Sequence, residues 1–103
     1  MSTYPVISTG AHVTRQVLSD HPDLMVVAFR FEEAGAQGAL HEHPHVQSTY
    51  VESGRFRFSV DGKDFDVAKG DSFVVPSGAR HGCVCLEPGC LVDSFTPRRA
   101  DFL

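Results

Sequence analysis

No apolar run in these 103 residues approaches the roughly 20 needed to cross a bilayer as a helix, so no membrane partner is expected. Basic residues are scarce: Lys and Arg number 9 against 13 for Asp and Glu, a formal net charge of −4. Nucleic acid or an anionic membrane surface would require a basic patch, and neither is expected as a partner. Cysteine is sparse too. Cys83, Cys85 and Cys90 are odd in number and crowded within eight positions, unlike the framework of a secreted disulfide scaffold. Reduced thiols in the cytoplasm are the simpler reading. Met1 to Gly10 contains neither the basic nor the apolar region of a secretory signal. Internal repeats, low-complexity tracts and linkers are absent, and so are the long helical segments of a βαβ nucleotide fold.

What is present is a chain of globular composition, 42% hydrophobic and 21% charged, with length for one domain over residues 1–103. Short apolar or alternating runs lie between Gly and Pro punctuation. Leu24 to Phe31 is a nearly continuous Val- and Phe-rich run, the pattern of a buried strand. Gln47 to Val51 reads as another, followed by a turn at Glu52-Ser53-Gly54. Arg55 to Val60 alternates strictly, placing Phe56, Phe58 and Val60 on one face and Arg55 and Arg57 on the other. Asp61-Gly62 is a two-residue hairpin signal, with Phe65 to Val67 as the return strand. Ser72 to Val75, Arg80 to Leu86 and Leu91 to Phe95 complete the set, the last two separated by a Glu87-Pro88-Gly89 turn. Val13 to Leu18 is too short and too β-branched to be assigned as a helix. Turns every 8 to 12 residues or so predict an all-β sandwich or small barrel with little or no helix.

Six histidines are many for this length, and His41, His43 and His45 fall within five residues. On a strand, His41 and His43 share a face about 6.5–7 Å apart, and Gln47 keeps their parity. Such a pair suits a divalent transition metal, and alone suits a polar loop end equally well. A second group tips the balance. His81 follows Gly70-(five residues)-Pro76-Ser77-Gly78-Ala79-Arg80, and the first group is framed as Gly35-(five residues)-His41-x-His43-(three residues)-Gln47-(six residues)-Gly54. These segments resemble the two cupin motifs, G-x5-H-x-H-x3-4-E-x6-G and G-x5-P-x-G-x2-H-x3-N. The departures are Gln47 in place of Glu and Cys85 in place of Asn.

The resemblance implies a cupin-type jelly-roll β-barrel, also called a double-stranded β-helix, around one divalent metal held by His41, His43, Gln47 and His81. Residues 1–34 would be N-terminal strands, 35–54 the first motif and 70–85 the second. Nickel, zinc, iron, manganese and copper all suit three His and a Gln. This ligand set is neutral, so the ion keeps its full charge, which suits polarising a hydroxyl or carbonyl better than cycling to a higher oxidation state. No role is assigned to His45, His12, His21 or Cys90. Cys83 and Cys85 share the parity of His81 and are read as small core residues.

Residues 90–103 carry a further signature. Asp93-x-Phe95-x-Pro97-x-Arg99-x-Asp101-Phe102-Leu103 resembles the ending of the pectin-degradation cupins of the KdgF family. His-x-His-Pro-His-x-Gln, Tyr50-Val51-Glu52-Ser53-Gly54 and Val60-Asp61-Gly62 are shared with that family as well. This resemblance implies opening of 4,5-unsaturated uronate rings to linear 5-keto-4-deoxyuronate. Asp93 would be the acid/base, Phe95 a wall of the sugar site and Arg99 the partner of the substrate carboxylate. The substrate would be a small acidic sugar and the protein a homodimer paired through exposed sheet edges. A non-catalytic cupin binding a small acidic ligand or sugar is the alternative, and a metal-dependent dioxygenase a more distant one. For Asp93 to act, it must face the same cavity as His81. A tight hairpin at Pro88-Gly89 would turn it away; a bulge, or a crossing between sheets, would not impose that.

Overall fold

The computed structural model describes residues 3–103 and is built from eight antiparallel strands. They are β1 (Ile7–Gly10), β2 (Val13–His21), β3 (Leu24–Phe31), β4 (Gln37–His41), β5 (Val46–Val60), β6 (Lys63–Ala68), β7 (Ser72–Val75) and β8 (His81–Thr96). One 3-10 turn, Ala100–Phe102, closes the chain. Val13 to Leu18 lies inside β2, as its β-branched residues favour. Among the described residues no helix is long and apolar enough to cross a membrane.

Two long strands build the double-layered shape. β5 and β8 pair along their whole lengths. The first half of β5 also pairs with β7, and the second half with β6. The second half of β8 pairs with β3, and its first half with β4. Each long strand therefore starts in one sheet and ends in the other. One sheet runs β1-β2-β3-β8-β5-β7 and the other β4-β8-β5-β6.

The sequence pattern suggests turns at the two places where these strands bend. Glu52-Ser53-Gly54 and Glu87-Pro88-Gly89 are corners within continuous strands, not chain reversals. Between the pairs Val51↔Leu91 and Phe56↔Cys85 the register shifts, so that β8 carries one more residue than β5 through the bend. The inward parity of β5 consequently switches, from Gln47, Thr49 and Val51 to Phe56 and Phe58. With that extra residue, β8 points odd-numbered residues inward on both sides of the bend, His81 and Cys85 before it and Leu91, Asp93 and Phe95 after it, while Glu87 within the bend is exposed. The corner is tight. Gly54 has φ +81°, and a Cβ there would lie 2.5 Å from the Glu87 carbonyl oxygen. A side chain would face both backbone strain and backbone overlap.

The Asp61-Gly62 signal holds: both residues have positive φ, and Val60 pairs with Lys63 across a two-residue loop. Inward residues form two apolar clusters. Phe31, Val51, Phe56, Phe58 and Leu91 belong to the larger, and Val17, Met25, Val27 and Phe95 to the smaller. Burying each aromatic side chain stabilises the fold by about 1.5–3 kcal/mol. A cavity of about 190 Å³ lies between the clusters, walled by Phe31, Phe58 and Leu91 on one side and Phe95 on the other.

Candidate metal centre

β4 ends at His41, so His43 stands in the loop beyond it and the two do not share a strand as the sequence pattern suggests. They converge nonetheless. His41 pairs with His81 across the β4–β8 ladder, and their ring centroids are 4.3 Å apart. His43 returns from the loop to lie 4.8 Å from His81 and 5.5 Å from His41. One nitrogen from each of the three rings lies within 4.8 Å of the others. Donors on one ion with bonds of about 2.1 Å are separated by about 4.2 Å at most, so small ring rotations suffice to meet on a single ion.

Each ring is oriented in the same way. The Nδ1 atoms of His41, His43 and His81 lie 2.7, 3.0 and 2.8 Å from the carbonyl oxygens of Ala39, His45 and Ala79. An Nδ1–H donating to a carbonyl leaves the Nε2 lone pair free as a ligand, the usual outer-shell arrangement of metal-binding histidine. His81 Nε2 is buried with no hydrogen-bond partner, the kind of orphaned acceptor an ion would satisfy. Burial pushes the His81 imidazole down to about 4 and lowers that of His43, so both stay neutral as ligands must.

Gln47 completes the group. Its Nε2 donates to Thr49 Oγ1 at 3.0 Å and to Asp93 Oδ2 at 3.3 Å, which fixes the amide orientation. Its Oε1 is thereby aimed at His43 Nε2, 3.0 Å away. With His43 Nδ1 as the donor, two lone pairs face one another, an arrangement a cation beside them relieves. The donor set of three imidazoles and one carboxamide oxygen therefore fits a divalent transition ion.

Asp93 sits across the ladder from Thr49 and accepts a 2.7 Å hydrogen bond from its hydroxyl. Only 6% of Asp93 is exposed. Burial drives its carboxyl up to about 7, against the opposing pull of the Thr49 hydrogen bond and the Arg99 charge. Asp93 and His81 line the same cavity, with His41, Gln47, Phe95 and Arg99. This follows from β8 being one strand whose odd-numbered residues face inward on both sides of its bend, where a tight hairpin would have turned Asp93 outward. His43 backs the cavity, its ring 5.6 Å from that of Phe95.

Arg99 approaches from the C-terminal segment. Its guanidinium lies 4.2 Å from the Phe102 ring centroid and 5.1 Å from that of Phe95. The preceding Arg98 is turned the other way and holds Asp20 of β2 through two hydrogen bonds of 3.0 and 2.7 Å. Thr49 and Asp20 are site or anchor residues that the sequence motifs do not mark, and Phe102 lies in the C-terminal signature with no role assigned to it there. Thr49 shares the inward parity of Gln47, which is the one signal that points to it.

The remaining histidines and cysteines fall outside the cluster. His45 Nε2 lies 3.1 Å from the Arg98 carbonyl, and its ring stacks edge-on against His43. His12 pairs with Glu33 at 2.8 Å and His21 is exposed. Cys85 is core, and all three cysteines are free. Cys83 lines the cavity, but burial pushes its thiol up to about 12, far from a thiolate.

An antiparallel double-layered barrel with three imidazoles converging at its cavity, His43 and His81 buried and His41 exposed, defines the class. The chain is a cupin: residues 28–95 match the cupin domain model. It belongs to the KdgF family. It is 38% identical to the pectin degradation protein KdgF of Dickeya dadantii (strain 3937), over 91% of this chain and 86% of that protein. Among solved structures it superposes on KdgF from Halomonas sp. with a TM-score of 0.91 and 34% identity, covering 100% of this chain and 99% of that one. An RmlC-like cupin from Shewanella frigidimarina matches with a TM-score of 0.91 and 40% identity, over 97% and 89% of the two chains.

Proposed function

We propose that this protein opens the ring of 4,5-unsaturated uronate monosaccharides to the linear 5-keto-4-deoxyuronate in the breakdown of pectin or alginate, within the cytoplasm. The observation that carries the reading is a buried carboxyl, Asp93, in one small cavity with the histidine cluster and a guanidinium. His41, His43, Gln47 and His81 would hold the ion, which supplies Lewis-acid polarisation of a substrate oxygen when bound. The cavity of about 190 Å³ is small, as suits a monosaccharide.

The reaction is an isomerisation, so protons balance within the substrate. The anomeric hydroxyl loses its proton, the bond from that carbon to the ring oxygen breaks, and carbon 4 gains a proton as the enol becomes a ketone. Asp93 takes the first proton and delivers the second, a role that requires a movable proton at a fixed place. Thr49 and Gln47 hold the carboxyl there. Arg99 meets the substrate carboxylate, for which a guanidinium fork is suited. Phe95 and Phe102 wall the site and exclude water. With added divalent metal, the protein is expected to accelerate loss of the 4,5-double-bond absorbance of unsaturated galacturonate. No acceleration over the buffer and metal control would reject the reading.

The same reading includes a homodimer. Exposed sheet edges are one surface for it, as expected from the sequence, and an uncharged sheet face is a second through which two copies would meet. Val74, Ser48, Ser94 and Val26 form one row across β7, β5, β8 and β3, and Tyr50, Val92 and Ala28 the next. Tyr50 and Val74 are exposed, and these rows carry no charge, whereas the opposite sheet bears the Arg57–Asp66 and Arg55–Glu87 pairs. Two chains of net charge −4 meet at least cost through an uncharged face. Sedimentation velocity is expected to give a dimer that Val74→Lys with Tyr50→Lys converts to monomer; a monomeric wild type would refute the dimer.

A further inference from the structure

The Arg99 guanidinium is shared between an internal carboxylate and the cavity. Its Nε and Nη2 donate to the two carboxylate oxygens of Asp101 at 3.1 and 2.9 Å. This engages one edge of the guanidinium. A guanidinium has five N–H donors, and its other edge presents one hydrogen from Nη1 and one from Nη2 side by side. Among the described residues, Nη1 has no hydrogen-bond partner. The Arg99 side chain is only 11% exposed and lines the cavity, so the unengaged edge belongs to the site, not to the surface.

We infer that Asp101 is a positioning residue that locks the Arg99 fork so that its free edge receives the substrate carboxylate in two-point geometry. This rests on the uronate reading of the site. Further contacts hold the same unit. Phe102, next to Asp101, carries the Arg99 guanidinium at 4.2 Å and that of Arg15 at 4.2 Å. Its ring also packs edge-on against Phe95 at 5.8 Å and Phe29 at 6.1 Å. On the other side, Arg98 is anchored to Asp20 of β2, and its amide donates to the Pro22 carbonyl at 3.2 Å. The backbone on both sides of Arg99 is thus held, and the two hydrogen bonds to Asp101 fix which edge of the guanidinium turns to the cavity.

Asp101 has two opposed effects on anion binding. Its negative charge weakens the field of Arg99, while its hydrogen bonds fix the fork. The carboxylate is 60% exposed, so its charge is screened by water, and geometry dominates. The test compares wild type, Asp101→Ala and Asp101→Glu, each loaded with metal. Measured are kcat and KM on unsaturated galacturonate, and competitive inhibition by galacturonate and by neutral galactose. Asp101→Ala is expected to raise KM and the galacturonate inhibition constant about tenfold, to keep kcat within about twofold, and to leave galactose inhibition unchanged. Asp101→Glu, which retains the carboxylate, recovers part of the loss. An Asp101→Ala enzyme with KM at or below the wild-type value overturns the positioning role while the uronate reading stands. A wild type without turnover, on which galacturonate binds no better than galactose, overturns both.

Discussion

Asp93→Asn is expected to lower kcat on unsaturated galacturonate by about 10²–10⁴-fold, the range associated with a positioned acid/base group. The substitution keeps the size of the side chain and removes its exchangeable carboxyl proton. Asn retains an oxygen to accept the 2.7 Å bond from Thr49. Its amide nitrogen, however, meets the Gln47 amide, which now donates to Asp93 at 3.3 Å. Two donors then face each other, and Gln47 must rotate, so a modest change in metal affinity accompanies the rate loss. The fold is expected to survive. Asp93 is buried in surroundings that disfavour its ionised form, and Asn removes that burden while filling the same space. The measurements are single-turnover rates at saturating metal, together with metal titrations of both proteins. A loss of less than about threefold in kcat, with metal affinity unchanged, would show that another group moves the proton.

Most of the strands are legible in the sequence because short apolar or alternating runs lie between Gly and Pro turns. Leu24–Phe31 and Ser72–Val75 are found with the bounds they have in the fold. The corners are not legible. Gly54 and the Pro88-Gly89 pair carry the chemistry of chain reversal, and sequence pattern alone does not separate a reversal from a strand that bends between sheets. The difference has consequences for the site, since β8 resumes the same inward parity beyond its bend, which brings Asp93 to the cavity that His81 lines. β4 is missed because its five residues are largely exposed and do not alternate in burial. The histidines and Gln47 are legible through their spacing, while the hydrogen bonds that orient them come from backbone carbonyls, to which side-chain identity is blind. Arg99 is singled out by the C-terminal motif, but the role of its neighbour Arg98 is not legible; the fold sends Arg98 to Asp20 on β2 and Arg99 to the cavity.

His81→Ala is expected to abolish metal-induced thermal stabilisation, and His45→Ala to preserve it. A ligand binding only the folded state at 100 times its dissociation constant stabilises by about 2.7 kcal/mol. In a chain of this length, 1 kcal/mol corresponds to about 4–8 °C in Tm, so wild type should gain about 10–20 °C. His81 contributes a buried nitrogen that no protein group satisfies, on a ring fixed by the Ala79 carbonyl. Its removal deletes one of three imidazoles that must meet on the ion and leaves His41 and His43 with Gln47 as a weaker set. His45 offers a sharp control. It is as close in sequence to His43 as His41 is, and its ring lies at the same 5.5 Å from His43. Its Nε2, however, faces the Arg98 carbonyl, away from the cluster. A ligand count from sequence proximity would rank the two alike, whereas the geometry separates them. Calorimetry with nickel and with zinc should therefore show a metal-dependent Tm for wild type and His45→Ala and a metal-independent one for His81→Ala. An undiminished shift in His81→Ala would remove His81 from the ligand set, and with it the assignment of the metal to this end of β8.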